Sequence, residues 1–183
     1  MRRVAMVGNA GSGKTTLGRA LAQRLGVTYT ELDSIYHQPG WRPLEREEFR
    51  ARVSDLVAAD GWVVDGNYTA VRDLVWGRAD TVVWFDLPRR TVMRAVIGRT
   101  LRRLVAGTEL WNGNRESWRN LVRIDPRESI ILWAWSQHRT YRTRYAELSQ
   151  APEWAHLRFV RLTSRPEPDR LLEALGEGIT DGG

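Results

Sequence analysis

Apolar runs and helical periodicities alternate along the chain. Consecutive apolar or β-favouring residues predict five strands, at 4–7, 28–32, 62–64, 81–85 and 158–162. Between them, apolar residues recur every three or four positions and predict helices at about 14–26, 45–60, 89–107, 125–149 and 168–175. Strands that are apolar on both faces and alternate with helices are typical of a parallel sheet. The sequence therefore predicts one α/β domain over residues 1–183.

Composition narrows the class of protein. The 183 residues are 42% hydrophobic and 27% charged, which is typical of a single globular domain. No run of about 18 apolar residues is present, so we expect no membrane partner and a cytoplasmic location. The chain has no cysteine and three scattered histidines, which excludes disulfides and a cysteine zinc site. Any metal is expected to be bound by oxygen atoms.

A phosphate-binding motif lies between the first strand and the first helix. Residues 8–15 read GNAGSGKT and match the P-loop pattern G-x-x-x-x-G-K-[ST]. Its glycines let successive backbone N–H groups point at phosphate oxygens, and the helix adds the positive end of its dipole. The pattern predicts ATP and Mg²⁺ as cofactors, with this nucleotide-binding set: Gly8, Asn9, Ala10, Gly11, Ser12, Gly13, Lys14, Thr15 and Thr16.

The lysine and the threonine of this motif, and an aspartate outside it, have predicted roles in binding phosphate and magnesium. Lys14, the only lysine in the chain, is placed to reach the β and γ phosphates. The Thr15 hydroxyl is a predicted Mg²⁺ ligand, and Asp65, at the end of an apolar strand, is its acidic partner. Asp86 ends another strand and competes for the role of Asp65. The sharp turn implied by Gly66 favours Asp65.

Asp33 is a further candidate because it follows a predicted strand, at the edge where open α/β sheets bind ligands. If the phosphate acceptor is a hydroxyl, Asp33 is a candidate general base. If the acceptor is a phosphate, a carboxylate there would instead orient sugar hydroxyls or magnesium. The residues leave both alternatives open.

Positive charge is concentrated in one segment. Residues 89–144 contain 13 arginines and four acidic residues, whereas the whole chain has a formal charge of +6. Such a segment could close over the phosphates of a nucleotide, or it could bind nucleic acid. No recognised nucleic-acid module accompanies it, so the first interpretation is favoured.

Several segments resemble the adenylate kinase superfamily of P-loop phosphotransferases. GNAGSGKTTLGRALAQRLG is similar to the family's opening, VVDGNY to its acceptor segment, and FDLPRRTVMRAVIGR to its strand before the lid helix. LDSIYHQPGW, WVVDGNY and ADTVVWFDLP resemble, more specifically, the bacterial branch labelled DNA topology modulation protein. The resemblance implies a three-layer P-loop fold, strand order 2-3-1-4-5 and a helical lid, here residues 99–127. It also implies transfer of the γ-phosphoryl group of ATP to a small acceptor.

The resemblance also assigns residues. Lys14, Thr15 and Asp65 match the family's phosphate, metal and Asp-Gly positions, and Arg99 matches an arginine that contacts phosphates. Arg123 with Asp125 resembles the return limb of the lid, and Arg139 and Arg142 are the next candidates to stabilise the transferring phosphoryl group. The predicted catalytic set is Lys14, Asp33, Arg99, Arg123 and Arg139.

The acceptor segment departs from the family's pattern. Adenylate kinases have an arginine soon after the Asp-Gly pair, whereas Asn67 and Tyr68 follow Gly66 here and Arg72 is the nearest arginine. The predicted substrate-binding set is Asp33, Asp65, Asn67, Tyr68 and Arg72. A nucleoside monophosphate is the first predicted acceptor. The alternatives are a hydroxyl-bearing small molecule and, from another class, a nucleic-acid-associated ATPase.

Overall fold

A computed structural model describes residues 1–106, 111–114 and 130–180. Its main sheet is built from five strands, and a short hairpin pairs His37–Gln38 with Arg42–Pro43. The strands of the main sheet are β1 (Arg3–Gly8), β2 (Thr28–Glu31), β3 (Trp62–Asp65), β4 (Thr81–Phe85) and β5 (Arg158–Leu162). The helices are α1 (Lys14–Leu25), α2 (Leu32–Tyr36), α3 (Arg46–Val57), α4 (Arg72–Arg78), α5 (Arg89–Ala106), α6 (Ile130–Leu148) and α7 (Glu167–Thr180).

The main sheet is parallel, and its strand order is β2-β3-β1-β4-β5. This order confirms the predicted 2-3-1-4-5 topology. The register places Glu31 beside Asp65 and Gly8 beside Phe85. The carboxyl ends of the strands therefore lie along one edge, where ligands bind in folds of this kind.

Two hydrophobic clusters cover the two faces of the sheet, as in a three-layer α/β fold. One contains Phe49 of α3, Trp76 of α4 and Tyr145 of α6. The other contains Leu21 of α1 and Val96 of α5, with side chains of α7 packed against it. Strands whose side chains are buried on both faces explain the unbroken apolar runs of the sequence.

The second strand is shorter than predicted. It ends at Glu31, and Leu32 begins a short helix that also carries Asp33. Leu32 is buried and lies against Gly66, where an added Cβ would come within 2.8 Å of the Leu32 Cβ. This packing turns the chain away from the sheet one residue before Asp33. Helix α4 (Arg72–Arg78) lies in a part of the chain for which the sequence predicted no helix.

Part of the predicted lid belongs to the described chain. Residues 99–106 continue α5, and Trp111–Gly113 form a 3₁₀ turn. Arg123 and the helix start predicted at 125–128 lie outside the described residues. Within the described ranges, no helix has the length and apolar character needed to cross a membrane.

Candidate active site

The turn between β1 and α1 is shaped by glycines whose conformations other residues rarely adopt. Gly8 has φ of 137°, and a Cβ added there would lie 2.7 Å from the carbonyl oxygen of Phe85. Gly13 has φ of 104° and caps the amino end of α1 in the left-handed conformation. Contact with α5 is equally close, since a Cβ on Gly11 would lie 2.6 Å from Val96 Cγ2. The phosphate-binding turn of residues 8–15, which we call the cradle, is thus fixed between β4 and α5.

The ammonium group of Lys14 lies inside this turn. Its Nζ donates hydrogen bonds to the carbonyl oxygens of Gly8 at 3.1 Å and Asn9 at 3.0 Å. Asp65 Oδ1 is 3.9 Å away, and the Lys14 side chain is only 12% exposed. A compact ammonium fits among these acceptors, whereas a planar guanidinium presents its donors in a fixed fork. This geometry indicates that arginine cannot replace Lys14.

Asp65 is a buried carboxylate at the end of β3. The Tyr29 hydroxyl donates a hydrogen bond to Asp65 Oδ2 at 3.2 Å. Burial raises the pKa of Asp65 to about 6, the charge of Lys14 opposes this, and Asp33 and Glu31 raise it further. The carboxylates of Asp33 and Glu31 therefore lie close enough to Asp65 to act on it electrostatically.

The residues around Asp65 suit an oxygen-bound cation such as Mg²⁺. The Tyr29 hydroxyl hydrogen-bonds with both Asp65 and the side chain of Thr15. The side-chain oxygens of the two predicted metal ligands therefore lie close to the same hydroxyl group. No cluster of three or more acidic, histidine or cysteine side chains suited to a metal occurs in the described part of the chain. A magnesium ion at Thr15 and Asp65 would therefore need nucleotide oxygens or water as its other ligands, as is usual for Mg²⁺.

The stability of the metal-free protein will reflect the raised pKa of Asp65. The folded protein holds this proton more tightly than an unfolded chain, in which the pKa is 3.8. Asp65 therefore favours folding most below pH about 4, and this contribution is lost as the pH rises through about 6. Urea unfolding in the presence of a chelator measures this contribution. Between pH 4.5 and 7, the free energy of unfolding of the wild type should fall by about 2 kcal/mol relative to that of Asp65→Asn. An unchanged difference between the two proteins would contradict this account.

Asp33 lies in the first turn of α2, and its charge acts on Asp65, the carboxylate next to Lys14. The Tyr68 hydroxyl donates a hydrogen bond to Asp33 Oδ1 at 2.6 Å. Burial raises the pKa of Tyr68, and the negative charge of Asp33 raises it further, so this hydroxyl keeps its proton. Tyr68, predicted to bind substrate, thus orients the Asp33 carboxylate.

Two other predicted substrate residues are engaged within the protein. The Asn67 side chain hydrogen-bonds with the backbone of Gly8. Arg72 lies over the Trp76 ring at 5.5 Å and donates to Thr69 Oγ1 at 3.2 Å. Arg72 also lines an open cavity of about 540 Å³ between α3, α4 and the segment after α6.

Comparisons with known proteins agree with a kinase. The chain is 31% identical over 123 residues to a shikimate kinase of Mycobacterium avium, covering 58% of this chain and 69% of that protein. It is also 31% identical over 110 residues to a shikimate kinase of Sulfurihydrogenibium, covering 51% and 65%. The chain belongs to the P-loop kinase family that includes the shikimate kinases. No family model matches the chain.

Solved structures confirm the fold of this kinase. A shikimate kinase from Acinetobacter baumannii, solved in complex with shikimate, has a TM-score of 0.55 at 17% identity and covers 99% of this chain and 94% of its own. One from Bacteroides thetaiotaomicron has a TM-score of 0.56 at 16% identity, with 98% of both chains covered. The predicted α/β P-loop fold is thus confirmed. The shikimate kinase relatives confirm the prediction of a kinase. The particular resemblance to the DNA topology modulation branch is not supported by these matches.

Asp86, the competitor of Asp65 for magnesium, has a structural role in the kinase. Its buried carboxylate accepts a hydrogen bond from Arg142 Nε at 2.7 Å and another from Arg161 Nε at 3.0 Å. Two guanidinium groups thus neutralise Asp86, and they tie α6 and β5 to the end of β4. Arg142, predicted to stabilise the phosphoryl group, is therefore held by Asp86.

The predicted catalytic arginines of the kinase have different placements. Arg99 lies on α5, one turn after Val96, which approaches Gly11 of the cradle. Arg139 is exposed on α6, beside the buried His138. Arg123 lies outside the described residues. A direct contact with phosphate stays a prediction for all three arginines.

The tip of the predicted lid, residues 111–114, contacts the end of β2 and the hairpin that follows α2. The Trp111 indole donates from Nε1 to Glu31 Oε2 at 3.1 Å. Asn114 accepts the backbone N–H of Trp41 at 2.9 Å through its Oδ1. The hydrogen bond of Trp111 to Glu31 connects the tip of the predicted lid to the strand that precedes Asp33.

Sequence reasoning missed three residues around this site: Tyr29, Glu31 and Tyr145. Tyr29 and Glu31 share one face of β2, since alternate residues of a strand point the same way. The signal in the sequence that could have identified Tyr29 and Glu31 was a pair of polar groups two positions apart, just before Asp33. Tyr145 gave none, because a tyrosine at a core-facing helical position resembles an ordinary packing residue.

Proposed function

We propose that this kinase transfers the γ-phosphoryl group of ATP to a hydroxyl group of a small molecule, with Asp33 as the general base. The observation that carries the proposal is the placement of Asp33. Its carboxylate is oriented by Tyr68 and lies near enough to Asp65 for its charge to raise the pKa of that residue. A carboxylate base beside an attacking hydroxyl can take its proton as the bond to phosphorus forms.

The cradle supplies the nucleotide side of the reaction. Lys14 would move from the carbonyls of Gly8 and Asn9 to the β and γ phosphates. Thr15 and Asp65 would hold Mg²⁺, which neutralises charge on the phosphate oxygens when it is bound. Arg99, Arg123 and Arg139 remain the proposed guanidinium partners of the transferring group.

The electrostatics of the acceptor side favour a hydroxyl over a phosphate acceptor. Asp33, Glu31 and Asp65 are three carboxylates whose charges interact at this edge of the sheet. A nucleoside monophosphate would bring two further negative charges towards them, at a Coulombic cost. A neutral hydroxyl carries no such charge and needs a base. The shikimate kinase relatives support this choice, because shikimate offers hydroxyl groups and no phosphate.

An acceptor panel tests the proposal. ADP release in the presence of ATP and Mg²⁺ would be measured with shikimate, other polyols and sugars, nucleosides, nucleoside monophosphates and DNA. We expect stimulation by a hydroxyl compound, with a phosphorylated product and no stimulation by DNA. Asp33→Asn protein purified in the same way controls for contaminating kinases. Transfer to a nucleoside monophosphate alone would overturn the proposal in favour of the first acceptor predicted from sequence.

A further inference from the structure

The side-chain amide of Asn67 clasps the first residue of the cradle. Asn67 Oδ1 accepts the backbone N–H of Gly8 at 3.0 Å, and Nδ2 donates to the Gly8 carbonyl oxygen at 2.8 Å. These residues are 59 positions apart in sequence. A pair of bonds to both backbone groups of one residue fixes its position and its orientation.

The same amide is held by helix α6. The Tyr145 hydroxyl donates to Asn67 Oδ1 at 2.9 Å, and its aromatic ring is buried. Two further contacts lie one and two turns earlier on this helix. Arg142 bonds to Asp86, and His138 Nε2 lies 2.9 Å from the carbonyl oxygen of Leu87. This face of α6 is thus tethered to the carboxyl ends of β3 and β4.

We propose that Asn67 is a positioning residue for the nucleotide cradle, and that Tyr145 makes its orientation depend on α6. The proposal rests on the proposed function in taking the ligand to be a nucleotide phosphate. It replaces the substrate-contacting role that the sequence suggested for Asn67, since both ends of the amide are engaged.

The Gly8 carbonyl explains why this clasp matters when nucleotide binds. Its oxygen accepts two hydrogen bonds, from Lys14 Nζ at 3.1 Å and from Asn67 Nδ2 at 2.8 Å. Movement of Lys14 to the phosphates removes the first bond. Asn67 keeps the second, so the carbonyl is not left without a donor in a part-buried site. Asn67 therefore lowers the cost of releasing Lys14 and holds the turn in its binding shape.

ADP binding in the presence of Mg²⁺, measured by titration calorimetry on the full chain, tests the proposal without an acceptor. We expect Asn67→Ala to bind ADP about tenfold more weakly, because a part-buried carbonyl loses its remaining donor as Lys14 leaves. Tyr145→Phe keeps the ring and should weaken binding by a smaller factor, about threefold. Thermal unfolding of each variant is recorded in parallel.

Asp80→Ala is the matched control. Asp80 Oδ2 accepts the backbone N–H groups of Arg2 at 2.8 Å and Arg3 at 2.9 Å, a clasp of the same kind at the other end of β1. We expect this variant to unfold at a lower temperature while binding ADP like wild type. The contrast separates positioning of the cradle from a general effect of losing hydrogen bonds to β1.

The results of these measurements distinguish failure of this proposal from failure of the proposed function. Wild-type affinity for ADP in both Asn67→Ala and Tyr145→Phe would overturn the proposal, as would an equal loss of affinity in Asp80→Ala. If Asn67→Ala fails to fold, wild-type affinity in Tyr145→Phe overturns the role proposed for Tyr145, whose helix also contacts Asn67 through Tyr141. Wild type that binds no ADP would instead refute the proposed function. With an acceptor in hand, Asn67→Ala should raise KM for ATP and leave KM for the acceptor unchanged, the opposite of a substrate contact.

Discussion

Lys14→Ala will lower kcat for phosphoryl transfer by about 1,000-fold, the scale seen when a charge-stabilising donor is removed from a phosphoryl or acyl transfer site. Lys14 is the cation within the cradle, at 3.0 to 3.1 Å from two backbone carbonyls and 3.9 Å from Asp65. No other lysine exists in the chain to replace it. The measurement is the steady-state rate with the acceptor found by the panel.

Lys14→Arg is the informative partner of this variant. It keeps the positive charge, but its longer, planar head does not fit among the acceptors that hold the ammonium. We expect Lys14→Arg to lose most of the activity as well, while circular dichroism shows both variants folded. Near-normal transfer by Lys14→Ala would show that the assigned mechanism is wrong.

Asp33→Asn will lower kcat by about 100- to 10,000-fold, the range for loss of a general base. The amide keeps the size of the side chain and can still accept the Tyr68 hydrogen bond, but it cannot take a proton at neutral pH. ADP binding should stay close to wild type, since the cradle is untouched. The measurement combines the transfer rate with a calorimetric titration of ADP.

Tyr68→Phe provides the matched control for Asp33. It removes the 2.6 Å hydrogen bond to the carboxylate and keeps the aromatic ring, which packs 4.8 Å from Tyr36. The base remains, so the expected loss is only about tenfold. Equal rates in wild type and Asp33→Asn would exclude Asp33 as the base and would favour an orienting role.

The fold was largely predictable because its determinants are local. The three central strands β1, β3 and β4 coincide with apolar runs, since side chains buried on both faces leave these strands no polar side. Prediction from sequence fails where a contact between distant residues determines the end of a strand. Leu32 continues an apolar run, yet its packing on Gly66 ends β2 at Glu31 and moves Asp33 onto a helix.

The site divides in the same way. The cradle was identified from eight contiguous residues, because its glycines, lysine and threonine act through the backbone that joins them. The aspartates could not be separated with certainty, since Asp65 and Asp86 both end apolar strands. Asp65 is the one beside Lys14, whereas Asp86 is neutralised by Arg142 and Arg161.

The sequence by itself determined the strands and the P-loop, because a motif of neighbouring residues and the periodicity of side chains carry that information. The strand order and the class of reaction were implied by the resemblance to the adenylate kinase superfamily. Only the tertiary structure decided which groups Asp86, Tyr68 and Asn67 contact. The partners of Asp86 lie 56 and 75 residues away in the sequence, the partner of Tyr68 lies 35 residues away, and those of Asn67 lie 59 and 78 residues away. Whether a polar side chain faces a ligand or another part of the chain depends on which strand ends the fold brings together, and no local pattern records it.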